Sequence, residues 1–320
     1  MGLTAFITGC AGFIGSHLTD RLLAAGYVVV GYDNLSTGQL RFLDDARQHP
    51  DFHFVEGDVL DTERLARHMR GANLVFHLAA NADVRHGSEA PRRDLEQNTI
   101  ATHGVLEAMR IGAVREIAFV SSASVYGNTS VFPTPEDAPL PLQTSFYGAS
   151  KLAAEGLIGA YCEAFGFRAW IFRPVSILGE RYTHGHLFDF YRQLRHDARH
   201  LRVLGNGQQR KSYLYVQDCI DAMLIALEKA GERINVFNLG TEQATAVHQS
   251  VSWLSDALQL RPQVSYGAGD RGWIGDSPCI LLDTARIRAL GWRPRLEVRE
   301  AVLKTIAYLS TNEWVLEART

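Results

Sequence analysis

The chain opens on a short apolar run, LTAFIT over residues 3–8, then a glycine-rich turn and a stretch with helical spacing to about residue 25. Apolar runs of strand length recur at YVVVGYD (27–33), FHFVEGD (52–58), NLVFHLAA (73–80), REIAFVSS (115–122) and RAWIFRP (168–174). Segments with helical spacing separate them: TERLARHM, a long stretch over 91–111, and YGASKLAAEGLIGAYCEAF over 147–165. Continuous apolar strands alternating with helices imply parallel strands covered on both faces. The expected fold is α/β, a doubly wound parallel sheet, which takes ligands at the carboxyl ends of its strands.

Beyond about residue 175 the alternation becomes irregular. Helices are expected near 216–230 and 246–259 and a strand at NVFNLG (235–240), while PLPLQT and DRGWIGDSP read as loops. This predicts a nucleotide-binding domain over 1–175 with returning segments near 211–240. Residues 176–320 form mainly a smaller, discontinuous substrate lobe.

Composition narrows the function. Of the 320 residues, 46% are hydrophobic, enough for a large core, and the net charge of −3 gives no basic field for nucleic acid. Cys10, Cys162, Cys219 and Cys279 form no C-x-x-C pair and read as reduced thiols. Strand-like sequence from Leu3 leaves no room for a signal peptide, and no apolar run is long enough to span a bilayer. A cytoplasmic protein with no membrane partner is expected.

The stretch ITGCAGFIGSHL places Gly9, Gly12 and Gly15 between strand and helix. Glycines let a backbone approach phosphates, and the helix N-terminus offers N–H groups and a positive dipole end, so a pyrophosphate suits this turn. A tight strand-to-helix turn would use the same residues. Asp33 ends the next strand, where an acid bonds ribose hydroxyls and repels a 2′-phosphate, favouring NAD over NADP. Asp33 and Asn34 also suit a turn. Asp58 suits either an adenine contact or a helix N-cap.

YGASK puts Tyr147 and Lys151 on one helix face. A tyrosine is a weak base alone, with a pKa near ~10, but a nearby ammonium and the positive ring of NAD⁺ favour the phenolate. Tyr147 is then a candidate general base for a hydroxyl proton, with Ser122 at a strand end to hold the same oxygen. Each also has a plain reading: a solvated helix edge for the pair, and a backbone-bonding serine for Ser122. His184 and His186 in THGH lack a carboxylate or thiol cluster, so no metal is expected. Arg210 and Lys211 suit a substrate phosphate or a solvated turn.

With these pieces in order, the chain resembles the extended short-chain dehydrogenase/reductase family, and within it the UDP-glucose 4-epimerase group of nucleotide-sugar epimerases. The resemblance covers nearly the whole chain, through TGCAGFIGSHL, GYDNLSTG, EGDVLD, VFHLAA, SSASVYG, YGASK, GNGQQRKSYLYVQD and GDSP. It implies a Rossmann-type sheet and NAD bound by Gly9, Gly12, Phe13, Ile14, Gly15, Asp33, Asn34, Asp58, Val59, Ala79, Ala80, Asn98, Tyr147 and Lys151. The implied catalytic set is Ser122, Tyr147 and Lys151. The implied reaction inverts C4 of a nucleotide sugar, a UDP-hexose or UDP-N-acetylhexosamine, through a 4-keto sugar. The implied assembly is a homodimer through helices near 91–111 and 145–165, the second carrying Ala153, Ala154, Gly156, Gly159 and Ala160.

On the substrate side the resemblance points to Ser122, Ser176, Arg210, Lys211, Arg271, Asp276 and Ile280, with departures from the group's pattern. Ser176 stands where an asparagine is usual, Lys211 where an arginine is usual, and the nearest late arginine is Arg271. Ala123 and Ser124 follow Ser122 where 4,6-dehydratases carry Asp-Glu, which argues against elimination of water. Ile280, with Cys279 beside it, takes the place of a bulky tyrosine facing the sugar 2-substituent. The alternatives are a 2-epimerase, reductase or decarboxylase on another nucleotide sugar, or a non-catalytic NAD-binding regulator.

Overall fold

The structure, a computed structural model, describes residues 2–81, 83–85 and 87–318. The chain divides into two compact units. Unit 1 comprises Met1–Val125, Phe146–Arg173 and Met223–Phe237, and unit 2 comprises Tyr126–Ser145, Pro174–Ala222 and Asn238–Thr320.

Unit 1 is built on β1 (Thr4–Thr8), β2 (Val28–Asp33), β3 (Phe52–Glu56), β4 (Leu74–His77), β5 (Glu116–Val120) and β6 (Arg168–Pro174), with β7 (Ile234–Leu239) completing a seven-stranded sheet. The order is β7-β6-β5-β4-β1-β2-β3, and each pair from β6 to β3 is parallel. The register sets Thr8 beside His77 and His77 beside Phe119. Helices α1 (Phe13–Ala24), α2 (Thr62–Met69), α3 (Ala101–Gly112) and α4 (Phe146–Phe165) follow β1, β3, β4 and β5. Leu65 of α2, Val105 of α3 and Ile158 of α4 share one buried core with Phe6, Val75, Ile117 and Ile171. The alternate strand residues Ala5, Ile7, Phe76, Ala118 and Trp170 are equally buried and turn to the opposite face. There Trp170 donates its indole N–H to Ala226 O at 3.1 Å.

The helix expected over 91–111 is not uniform. An α-helical turn, Pro91–Asp94, runs into a π-helical segment, Leu95–Ile100, before α3 begins. The wider π turn carries Asn98 inward, leaving it 1% exposed, while Leu95 and Ile100 remain on the surface.

Unit 2 contains small sheets. Ser176–Leu178 pairs parallel with Tyr213–Tyr215, and His200–Val203 with Gln263–Tyr266. A third joins Thr245–Ala246, Arg210–Lys211 and Cys279–Ile280. Its helices include His186–His196, Val247–Ala257 and Val298–Thr311. The expected first domain ran unbroken to 175, but Tyr126–Ser145 belongs to unit 2. Asn238 explains this. It accepts the Tyr126 hydroxyl at 2.7 Å, donates its backbone N–H to Glu136 at 2.9 Å, and donates its side-chain amide to Thr134 O at 2.9 Å.

Candidate active site

In unit 1 the residues singled out from the sequence gather at the carboxyl ends of the strands. Gly9 follows β1, Asp33 closes β2, Asp58 lies just past β3, Ala79 and Ala80 follow β4, and Ser122 follows β5. Gly9 has φ +75°, and a Cβ there would sit 2.7 Å from Ala79 N, so the turn admits only glycine. A Cβ on Gly15 would overlap the Gly9 carbonyl. Gly12 sits at the N-cap of α1 without a side-chain cap, so the opening turn presents backbone and a positive dipole end. Phe13 and Val59 are buried in the core, which leaves only their main chain to face a ligand; Ile14 is half-buried.

Asp33 accepts the Ala11 N–H at 2.9 Å and the Leu35 N–H at 2.8 Å, fixing the glycine turn and the bend after β2. Burial raises its carboxyl pKa, and these two bonds oppose the rise. Asn34 donates to Asp58 at 2.9 Å. Asp58 bonds Leu60 N–H, and the N-cap of α2 is Asp61.

Tyr147 and Lys151 lie in the first turns of α4. Ser122 Oγ accepts from Ser124 N–H at 3.1 Å and Ser124 Oγ at 2.8 Å, which leaves its own hydroxyl proton for the Tyr147 oxygen. Lys151 is buried, donates to Val120 O at 2.9 Å, and its Nζ stands 4.8 Å from the Phe119 ring centre. The expected activation of the phenol is not a property of these residues alone. Burial pushes Tyr147 up to about 12, the Ser122 bond works against this, and the Asp94 charge adds to it. Burial pulls Lys151 down to about 8, with the Glu155 and Asp94 charges opposing. Glu155 lies one further turn along α4 and is matched by Arg173 at 2.6 Å, while Ser121 donates to it at 2.5 Å.

Behind this cluster lie Asn98, named from the sequence, and His77, which the sequence reading passed over. Asn98 is held by Asn81 N–H at 2.8 Å and donates to Ser150 Oγ at 2.8 Å. His77, wholly buried, lies between Thr8 Oγ1 at 2.8 Å and Thr102 Oγ1 at 3.0 Å. Burial, then the Lys151 charge, lowers its pKa to about 3, so its ring is neutral at pH 7. The histidine was visible in VFHLAA; its partners, far off in sequence, were not.

Apart from Ser122 in unit 1, the substrate-side residues lie in unit 2, where Lys211, Asp276 and Ile280 come together. Lys211 is buried and ion-paired to Asp276, with its Nζ 4.6 Å from the Trp273 ring centre, and Ile280 is its strand neighbour. Asp276 also accepts Gly272 N–H at 2.9 Å. Lys211 is therefore compensated by a carboxylate rather than presented as an open cation. Arg210 is exposed and donates to Ala244 O at 3.2 Å, and Arg271 is exposed on the loop before Trp273. Ser176 is exposed and pairs in register with Tyr213. His184 stacks on Tyr182 and His186 on Tyr213.

A Gly9–Gly12–Gly15 turn, an acid closing β2 and a Ser–Tyr–Lys cluster beyond β5 define a dinucleotide-dependent enzyme of the short-chain dehydrogenase type. The chain belongs to the NAD dependent epimerase/dehydratase family, whose profile matches residues 5–240. It is 32% identical over 314 residues to a UDP-glucose 4-epimerase of Mycolicibacterium smegmatis, covering 96% of this chain and 98% of the relative. Among solved structures, a UDP-galactose 4-epimerase is 36% identical with a TM-score of 0.87, covering 98% of this chain and 100% of that one. A UDP-glucose 4-epimerase from Thermotoga maritima, solved with UDP-glucose, is 30% identical with a TM-score of 0.87, covering 97% and 100%.

Proposed function

We propose that this enzyme inverts C4 of a UDP-hexose through a 4-keto sugar, with Tyr147, Ser122 and Lys151 as its catalytic residues. The observation that carries the reading is the Tyr147–Ser122 hydrogen bond beyond β5, with Lys151 one turn further along α4.

The glycine cradle fits NAD. Its three glycines let the turn close tightly, since a Cβ at any of them would press on the chain's own backbone, the uncapped N-terminus of α1 suits a pyrophosphate, and Asp33 keeps a second lone pair on each oxygen for ribose hydroxyls. When bound, NAD supplies a hydride acceptor that returns what it takes, and a positive ring whose field lowers a neighbouring phenol's pKa. Tyr147 holds the proton of the sugar 4-hydroxyl, and Ser122 fixes the same oxygen. Lys151 holds positive charge behind the phenol and is the group to bind the nicotinamide ribose. On the substrate side, Arg210, Lys211 and Arg271 are taken to meet the nucleotide, and Ser176, Asp276 and Ile280 the sugar.

A dehydratase is the second reading, and the residues after Ser122 disfavour it. Ala123 is buried and Ser124 is spent on Ser122, so no carboxylate follows the serine to assist loss of water. A cytoplasmic setting is supported by four free thiols, and a homodimer by Leu95, Ile100, Ile111 and Phe165 exposed near α3 and α4. Among the described residues no helix is long and apolar enough to cross a membrane.

Incubation with UDP-galactose and with UDP-glucose, followed by NMR, tests the reaction. Interconversion without added reductant or oxidant supports it. A dehydrated product, or no change across a panel of UDP-, GDP-, CDP- and dTDP-sugars, overturns it.

A further inference from the structure

The hydrogen bonds around His77 run in one direction, and both ends of the chain are fixed. At one end, Leu78 N–H and Ala79 N–H donate to Thr8 Oγ1 at 3.2 Å and 3.3 Å. A backbone amide only donates, so the Thr8 hydroxyl proton is left for His77 Nδ1 at 2.8 Å. At the other end, Thr102 Oγ1 lies 2.5 Å from Asn98 O. A carbonyl only accepts, so the Thr102 proton lies on that contact, and the 3.0 Å approach of His77 Nε2 to Thr102 Oγ1 requires the proton on Nε2. His77 is thus an Nδ1 acceptor and an Nε2 donor, and the opposite tautomer would break both bonds.

The two ends are the two halves of the candidate active site. Thr8 immediately precedes Gly9, whose turn presses on Ala79. Asn98 donates to Ser150 Oγ at 2.8 Å, and Ser150 Oγ donates to Tyr147 O at 2.8 Å. The Asn98 amide has one orientation, because its Oδ1 accepts Asn81 N–H. Phe119 lies between the two chemistries, its ring centre 5.5 Å from that of His77 and 4.8 Å from Lys151 Nζ.

We propose that His77, with its proton on Nε2, is a positioning residue that ties the glycine turn to the helix carrying Tyr147 and Lys151. The proposal rests on the assignment of those two residues as catalytic. Small displacements of reacting groups cost far more rate than binding, so the link should act on kcat.

The experiment has two arms on the full-length protein. In ¹⁵N-histidine-labelled protein, long-range ¹H–¹⁵N correlation, assigned by the signal lost in His77→Gln, should show the Nε2–H pattern. In kinetics, Thr102→Val should lower kcat roughly ten- to a hundredfold. Its KM for UDP-galactose should stay within about threefold and its circular dichroism should be unchanged, while Thr102→Ser restores kcat. An Nδ1–H pattern overturns the proposal, as does wild-type kcat in a folded Thr102→Val protein. If Thr102→Val does not fold, the tautomer alone decides. If the wild type turns over no UDP-sugar, the functional reading has failed, and the link is judged by the His77 tautomer and by whether Thr102→Val shifts the Asn98 side-chain amide resonances.

Discussion

Tyr147 and Lys151 stand one helical turn apart, yet they meet different partners: the phenol oxygen meets the Ser122 hydroxyl, and the ammonium donates to Val120 O at 2.9 Å. Burial holds the phenol up to about 12, so in the proposed mechanism proton removal from the sugar depends on charge that arrives with the cofactor. Tyr147→Phe should keep the fold and bound NAD and lose turnover by roughly 10²–10⁴-fold. Single-turnover assays with UDP-galactose check this, and near-normal turnover would remove Tyr147 from the mechanism.

The acid that closes β2 makes a second prediction. Asp33 already holds the amides of Ala11 and Leu35, so a 2′-phosphate would be placed against a buried carboxylate. Purified protein should carry NAD(H). Denaturation followed by chromatography of the released cofactor checks this, and chiefly NADP(H) would overturn the assignment of Asp33. Asp33→Asn turns one amide hydrogen against a backbone N–H and should destabilise the protein by about 1–3 kcal/mol while weakening NAD retention.

What was legible in the sequence was local in the chain. The glycine turn, Asp33 and the Tyr147–Lys151 pair are constrained by neighbours within one strand or helix turn, so spacing reveals them. The His77 link joins residues 69 and 25 positions apart, and the Asn98–Ser150 bond spans 52, so no periodicity betrays them. The π-helical segment escaped for a related reason. One wide turn leaves apolar spacing on either side intact while turning Asn98 inward. The Lys211–Asp276 pair, 65 residues apart, turned an expected open cation into a compensated one.

Burial of His77 should also show in acid stability. Its pKa is about 3 in the fold against 6.5 for a free histidine. Between these values the unfolded chain binds a proton that the folded chain does not. Stability is therefore full above about pH 6.5 and falls as pH drops toward 3, by about 1.4 kcal/mol per pH unit. Urea unfolding between pH 4.5 and 6 should give a slope close to one proton smaller in His77→Gln. Equal slopes would show that His77 is protonated in the native state.

The exposed apolar residues near α3 and α4 predict association. Gly156 faces open space, and Ala153 and Ala160 are exposed on the same helix, whereas Ala154 is spent on the core. Light scattering at micromolar concentration should give a dimer, and Gly156→Arg should shift it toward monomer without unfolding it. A wild-type monomer would count against this assembly.

The last prediction, on sugar specificity, concerns a short strand. Ile280 pairs in register with Lys211, whose ammonium lies over Trp273. A tyrosine there would add a ring where Ile280 ends. A pocket discriminates against a larger substrate by overlap, so the smaller residue should stop rejecting an N-acetyl group. The wild type should therefore turn over UDP-N-acetyl sugars as well as UDP-glucose and UDP-galactose. In Ile280→Tyr, kcat/KM for the N-acetyl sugars should fall about tenfold or more relative to the plain hexoses, a difference of roughly 1.4 kcal/mol or greater. Trp273 is the competing occupant of the space. If the wild type ignores N-acetyl sugars and Trp273→Ala gains them, the indole is the gate; if neither substitution moves the ratio, specificity is set elsewhere in the lobe.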